Sequence, residues 1–424
     1  MATFAILLET KIRNQNINNT ELKIKNMLSQ RVLNLEESAT LAMTAKGNEL
    51  KQAGKDVISL SIGEPDFDTP RFIKDEGIKA IEENFTHYTA APGIIELRKA
   101  ICKKLLRDNG VEYTPDQIVV STGGKQAIAN VLLALLNKGD EVIIPAPYWV
   151  SYSELVKLGE GTPVIIRTSI ENDFKITADQ LEKAITPKTK LFMINSPCNP
   201  SGSVYSKDEL SALADVLRRH PHVYILSDEI YEHIVFEGKH ICFAEFADLK
   251  DRTIVMNGAS KGFAMTGWRI GFSASCKEIA KACTKLQGQI TSSTNSIAQK
   301  ASVVAFDCDP KTMPEMSMMI SKFKERRDLL LSMLREIPGF KVNVPHGAFY
   351  VFPDISYYFG KSDGTTTIKN DMDLCMYILN NAYVTLVPGT AFGNENCIRF
   401  SYATSNEKLI EAVRRIKLAL ANLK

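Results

Sequence analysis

From about Thr69 onward, short apolar runs alternate with stretches whose apolar residues recur every three or four positions. A short apolar run closed by turn residues fits a strand buried on both faces, and the 3.6-residue period fits a helix with one covered face. On these grounds the sequence predicts strands at Gln117–Ser121, Glu141–Pro145, Pro163–Arg167, Lys190–Asn195, Val223–Ser227 and Thr253–Asn257. Helices are predicted around them at Glu96–Asn109, Lys125–Leu136 and Glu209–Arg219. Strands interleaved with helices imply an α/β fold built on a mostly parallel sheet with helices on both faces. Ligand chemistry in such a sheet collects at the carboxyl ends of the strands.

After about Lys277 the pattern changes to two long helices, Glu278–Asp307 and Met313–Glu336, the second closed by Pro338 and Gly339. A smaller α+β tail follows, with strands expected at Ala348–Phe352, Val384–Val387 and Cys397–Tyr402 and a last helix from Asn406. The expected division is a large domain over residues 71–310 and a small domain over residues 311–424. Residues 31–70 are too few for a core of their own and are expected to pack with the small domain. Residues 1–30 contain the Asn-rich, polar stretch Asn14–Asn26 and read as a poorly ordered extension. Met1 and Met27 are both candidate starts.

Composition narrows the function classes. Lys+Arg 51 against Asp+Glu 49 gives a net charge of +2, which supplies no electrostatic footprint for nucleic acid or an anionic membrane. The longest largely apolar run, Ala127–Leu136, falls far short of the ~20 residues that span a bilayer. Eight cysteines are scattered with no CxxC pair, which fits reduced thiols in the cytoplasm. The six histidines show no metal-ligand spacing; His233 and His346 read as packing or surface residues, and no metal is expected.

Four turns at predicted strand ends carry candidate chemistry. Asp228 follows the strand VYILS, where a carboxylate is costly unless a cation or donors meet it. Alone, it would equally serve as a helix N-cap. Lys261 sits past TIVMN among small residues with Arg269 eight positions on, and a desolvated lysine near another cation is a route to a nucleophilic amine. Alone, it would be one surface lysine among many. Asn199 lies in the turn NSPCNPSG, and Gly123 and Gly124 of STGGK offer free N–H groups to an anion. No GxGxxG occurs. An anion-binding loop, an imine-forming lysine, a carboxylate for a pyridinium proton and a flat aromatic side chain together describe a pyridoxal phosphate pocket.

The motifs SIGEPDFDTP, HYTAAPGIIELRKAI, GGKQA, IPAPYWVSY, NSPCNPSGSVY, SDEIYEH, SKGFAMTGWRIGF and IRFSYATS occur in that order. With them the chain, from about Val32 to its end, resembles the class I/II aminotransferases of pyridoxal-phosphate fold type I, and most of all the bacterial and plastid-type aspartate aminotransferases. The resemblance implies a large domain with a mostly parallel, seven-stranded-type sheet plus a smaller α+β domain. Pyridoxal 5′-phosphate would be bound covalently by Lys261, which then moves a proton as general base. Asp228 would face the pyridine nitrogen, with Asn199 and Tyr231 at the ring 3-oxygen and Trp149 over the ring. Gly123, Gly124, Lys125, Ser260 and Arg269 would hold the phosphate, joined by Tyr88 from the other subunit of a homodimer. Arg399 would grip the substrate α-carboxylate beneath Gly63, and Lys125 with Ser38 and Thr40 would read a distal carboxylate.

The implied reaction is aspartate with 2-oxoglutarate by a ping-pong course. A prephenate, aromatic or alanine-type aminotransferase is the alternative on the same scaffold. Two positions depart from the pattern. Glu36-Glu37 stands where several relatives have Lys-Pro, and Cys198 stands where Asn or Ser is common.

Overall fold

A computed structural model describes residues 27–424. The extension expected at residues 1–30 therefore lies, up to Asn26, outside the described residues, as does the choice between Met1 and Met27.

Seven strands form the central sheet: β1 (Ile118–Thr122), β2 (Glu141–Ala146), β3 (Thr162–Arg167), β4 (Thr189–Asn195), β5 (Tyr224–Asp228), β6 (Thr253–Gly258) and β7 (Ile270–Ala274). Their order across the sheet is β1-β7-β6-β5-β4-β2-β3. The pairs β2–β3, β2–β4, β4–β5 and β5–β6 are parallel, whereas β7 runs antiparallel to both β6 and β1. Successive side chains of a strand point to opposite faces. Val142, Ile144, Leu191, Met193 and Leu226 accordingly pack with Ile128, Val131 and Leu132 of the helix Gly124–Leu135. Ile143, Phe192 and Ile225 pack on the other face with Leu210, Leu213 and Leu217 of Lys207–Arg219. Both faces are covered, which is why these strands read as continuous apolar runs.

Three expectations need correction. The strand β7 was not anticipated; its sequence IGFSA is short and rich in small residues. The stretch Glu278–Asp307 is two helices, Lys277–Ile290 and Ser296–Asp307. Ser292 adopts a left-handed φ of 64° and the Asn295 side chain accepts from Ala298 N–H at 2.8 Å, so the chain stops and restarts. The run Val384–Val387 is divided between two sheets. Val384–Thr385 pairs in parallel with Ile58–Ser59, while Val387–Pro388 pairs antiparallel with Ile398–Ser401, itself antiparallel to Tyr350–Val351.

Long helices Pro314–Leu334, Asp371–Ala382 and Asn406–Leu420 cover these short strands. No helix among the described residues is long and apolar enough to cross a membrane.

Behind the end of β5 lies a buried ion pair. Lys104, only 1% exposed, meets Glu232 and donates to Asn109 Oδ1 at 2.8 Å. Burial alone would raise the Glu232 carboxyl, yet Lys104, with His233 and His240, brings it down from 4.5 to about 2. The depressed value means that this contribution is complete above about pH 4.5 and fades as the pH falls toward 2. Lys104→Met, which leaves the carboxylate buried without its counter-charge, is expected to cost about 3–5 kcal/mol of stability. A urea midpoint at neutral pH within error of wild type would refute this.

Candidate active site

The carboxyl edge of the sheet opens into a cleft of about 470 Å³. Asp228 ends β5 beside Asn195, the last residue of β4. It is 3% exposed, and burial pushes its carboxyl up to about 7, against hydrogen bonds from Tyr152 Oη (2.5 Å) and Ile230 N–H (3.1 Å). Lys261 follows β6 by three residues, and its Nζ donates to the Gly63 carbonyl at 2.5 Å. Burial lowers the Lys261 ammonium from 10.5 to about 8, with the Glu64 carboxylate opposing the fall.

Arg269 immediately precedes β7, and because β7 is antiparallel, its start lies at the same edge as the ends of its neighbours. Arg269 is itself left-handed (φ 58°). A Cβ on Gly123 would stand 2.4 Å from Arg269 Nη2, so only glycine lets that guanidinium lie against the loop. Gly124 then opens the helix Gly124–Leu135, where unpaired N–H groups favour an anion.

Arg399 lies in the strand Ile398–Ser401 and is 2% exposed. Its Nη1 donates to Asn199 Oδ1 at 2.9 Å and its Nη2 to the Ser61 carbonyl at 2.6 Å, while Nε has no partner. The guanidinium lies 4.7 Å from the centre of the Tyr350 ring and 4.9 Å from that of Phe392. Among the described residues no carboxylate pairs with it, and burial lowers its pKa. Lys125 likewise has no acidic partner among the described residues. Its Nζ sits 5.1 Å from the Trp149 ring, and burial, aided by Arg269, lowers its pKa.

Ser38, Thr40, Gly63, Gly124, Lys125, Trp149, Asn199, Asp228, Tyr231, Ser260, Lys261, Arg269 and Arg399 all line this one cleft, and Gly123 lies just behind it. Tyr88 does not; it is 94% exposed on the surface of the protomer. Glu36 is not among the lining residues either, and its carboxylate lies 3.8 Å from Lys157 Nζ. Cys198 is buried, and burial pushes its thiol up to about 11.

Sequence reasoning missed Tyr152, Tyr350 and Glu64. Tyr350 Oη is 2.8 Å from Tyr231 Oη, and a Cβ on Gly63 would meet it at 2.4 Å. Only Tyr152 and Glu64 had a signal, since both stand inside quoted motifs, APYWVSY and SIGEPDF.

A profile of the family described as "Aminotransferase class I and II" matches residues 55–416. The chain belongs to this family. The aminotransferase is 48% identical over 412 residues to a Petunia hybrida protein named bifunctional aspartate aminotransferase and glutamate/aspartate-prephenate aminotransferase, covering 97% of this chain and 86% of that one. It is 49% identical to the aspartate/prephenate aminotransferase of Nitrosomonas europaea, covering 93% and 100%. The crystal structure of the aspartate aminotransferase from Rhizobium meliloti superposes with a TM-score of 0.90 at 44% identity, over 94% of this chain and 99% of that one. The Thermus thermophilus enzyme with maleate gives 0.87 at 41%, over 93% and 99%.

Enzymes of this family depend on pyridoxal 5′-phosphate, and the side chains present suit it. The glycine loop with Arg269 is a phosphate seat that any Cβ at Gly123 would obstruct. Lys261 offers an amine, and Asp228 offers a sealed carboxylate that a ring cation would relieve of part of its burial cost.

Lys261 carries the ammonium form below about pH 8 and the free amine above it. Acylation of the cofactor-free protein, read at the Lys261 peptide by mass spectrometry, is expected to rise with pH to a midpoint near 8 and then level off. A rate still climbing at pH 10, as for an ordinary lysine, would contradict the effect of burial.

Proposed function

We propose that this chain transfers the amino group of L-aspartate to 2-oxoglutarate, giving oxaloacetate and L-glutamate in two successive half-reactions at one cleft. The observation that carries this reading is the pair of cationic grips in that cleft, Arg399 and Lys125, neither of which has a carboxylate partner among the described residues. A dicarboxylate fills both. The name of the Nitrosomonas relative and the maleate in the Thermus enzyme support the substrate class, since maleate is a four-carbon dicarboxylate. Prephenate is the second reading, favoured by the names of the Petunia and Nitrosomonas relatives.

Bound pyridoxal phosphate supplies an electron sink for the carbon that exchanges its amino group. Asp228 would hold a proton at the ring nitrogen. Tyr231 and Asn199 would donate toward the ring 3-oxygen, and Trp149 would pack against the ring. Backbone N–H groups at Gly124 and Lys125, with Ser260 and Arg269, would bind the phosphate; the Gly123 N–H is taken by the Ser121 carbonyl at 2.8 Å, so Gly123 would serve by leaving room for Arg269. Lys261 would hold the cofactor covalently and, once the substrate amine has replaced it, would move a proton through Nζ. Arg399 takes the α-carboxylate under Gly63, and Lys125, Ser38 and Thr40 take the distal one.

The working unit in this reading is a homodimer in which Tyr88, so exposed in one protomer, reaches the phosphate held by the partner. Within each protomer residues 71–310 form the cofactor-binding domain, and 311–424 with 31–70 form the smaller one; the pairing of Ile58–Ser59 with Val384–Thr385 supports that grouping. All eight cysteines are unpaired, which supports a cytoplasmic setting.

The first test is the absorption spectrum of the cofactor-loaded protein with L-aspartate and no 2-oxo acid. Loss of the pyridoxal band with one oxaloacetate released per site is expected; an unchanged spectrum removes aspartate, and glutamate and prephenate are then tried. Lys125→Ser should lower kcat/KM for aspartate far more than for an apolar amino acid. An equal fall for both would assign Lys125 to the phosphate alone. Arg399→Ala should raise KM for every amino acid, by about a hundred-fold or more, the scale of a lost buried charge contact. An unchanged KM for aspartate would refute its role.

A further inference from the structure

Among the described residues, six charged side chains line the cleft: Lys125, Lys261, Arg269 and Arg399 against Asp228 and Glu64. Asp228 is sealed on the floor. Glu64 is exposed in the lining of the cleft, where its Oε2 accepts one hydrogen bond, from Thr266 Oγ1 (2.9 Å). It forms no ion pair among the described residues, so most of its acceptor capacity is uncommitted. The residue before it, Gly63, presents the carbonyl that receives Lys261 Nζ. Of the charges acting on the Lys261 ammonium, Glu64 gives the strongest support, ahead of Asp228 and against burial and two arginines.

An amino-acid substrate arrives as an α-ammonium, and its nitrogen must come to the neighbourhood in which Lys261 Nζ works. A carboxylate that supports one ammonium there supports the other. A 2-oxo acid has no ammonium, and a dicarboxylic one brings only negative charge, which the same carboxylate repels.

We propose that Glu64 is a specificity-determining residue that draws the α-ammonium of the incoming amino acid into the cleft and disfavours the 2-oxo acid, thereby setting the balance between the two half-reactions. This rests on the transamination reading above. Because Glu64 is exposed, the effect is modest and screened by salt over a Debye length of about 8–10 Å.

Glu64→Gln removes the charge and keeps an oxygen for Thr266. In single-turnover measurements on the cofactor-loaded enzyme at low salt, kcat/KM for L-aspartate is expected to fall about three- to five-fold while that for 2-oxoglutarate rises. Both changes should shrink at high salt, and Glu64→Asp should restore the wild-type ratio. Equilibrium binding gives a second readout. Maleate, which has no ammonium, should bind the Gln variant more tightly, and 2-methylaspartate, which has one, more weakly. An equal fall in both half-reactions, or changes insensitive to salt, would show that Glu64 acts through its contact with Thr266 and would overturn the proposal. A wild-type holoenzyme that converts no amino acid would instead overturn the transamination reading, and this proposal with it.

Discussion

A guanidinium that is 2% exposed and faces no carboxylate among the described residues must be held by neutral oxygens and aromatic faces, and Arg399 draws these from stretches far apart in the chain. The Ser61 carbonyl comes from the segment ahead of the central sheet, and the Asn199 amide from the turn after β4. The Tyr350 and Phe392 rings come from the strands and turns beyond Leu334. Burying a charge costs several kcal/mol unless such contacts offset it. The contacts therefore do two things together: they keep Arg399 in place, and they tie the short C-terminal strands to the carboxyl edge of the sheet. Phe392 adds to this tie, since its carbonyl accepts from Tyr148 N–H at 3.0 Å, one residue before Trp149.

The anion seat depends on a second close approach. A Cβ on Gly271 would stand 2.4 Å from the Gly124 nitrogen, so β7 passes directly beneath the loop that opens the helix Gly124–Leu135. That strand is antiparallel, which brings its first residue rather than its last to the chemical edge. A parallel strand in the same slot would carry Arg269 to the far end of the sheet. The reversal of one strand thus delivers a cation to an edge where the parallel strands deliver Thr122, Asn195 and Asp228.

Much of this was legible in the sequence, for identifiable reasons. The central parallel strands are buried on both faces, and uninterrupted apolar runs such as KLFMIN and VYILS announce that burial. The polar residues that end them, Asn195 and Asp228, stand out against it. What escaped had no contrasting neighbour. The strand β7, IGFSA, alternates Ile270 and Phe272 with small residues, so it presents no apolar run. The break at Thr291–Asn295 contains no Gly or Pro, and only its left-handed serine and the asparagine cap separate the two helices. Tyr350 lies in the apolar stretch AFYVF, where its ring looks like core; its hydroxyl gains a role only because Tyr231 arrives from another strand end. Tyr88 was named only through the resemblance, and within the protomer it stands 94% exposed and away from the cleft.

Burial acts in opposite directions on the two groups at the centre of the cleft. It lifts the Asp228 carboxyl from 3.8 to about 7 and lowers the Lys261 ammonium from 10.5 to about 8. In water such a lysine stays charged and such an acid ionised at neutral pH, so enclosure works against the charged form of each. What burial costs the two groups is what the cofactor would return: a ring cation beside Asp228 would favour its carboxylate, and an uncharged Lys261 amine is the form that can bond to a carbonyl carbon. The same burial holds Arg399 unpaired, so the charge pattern of the site follows from how deeply the strand ends are enclosed.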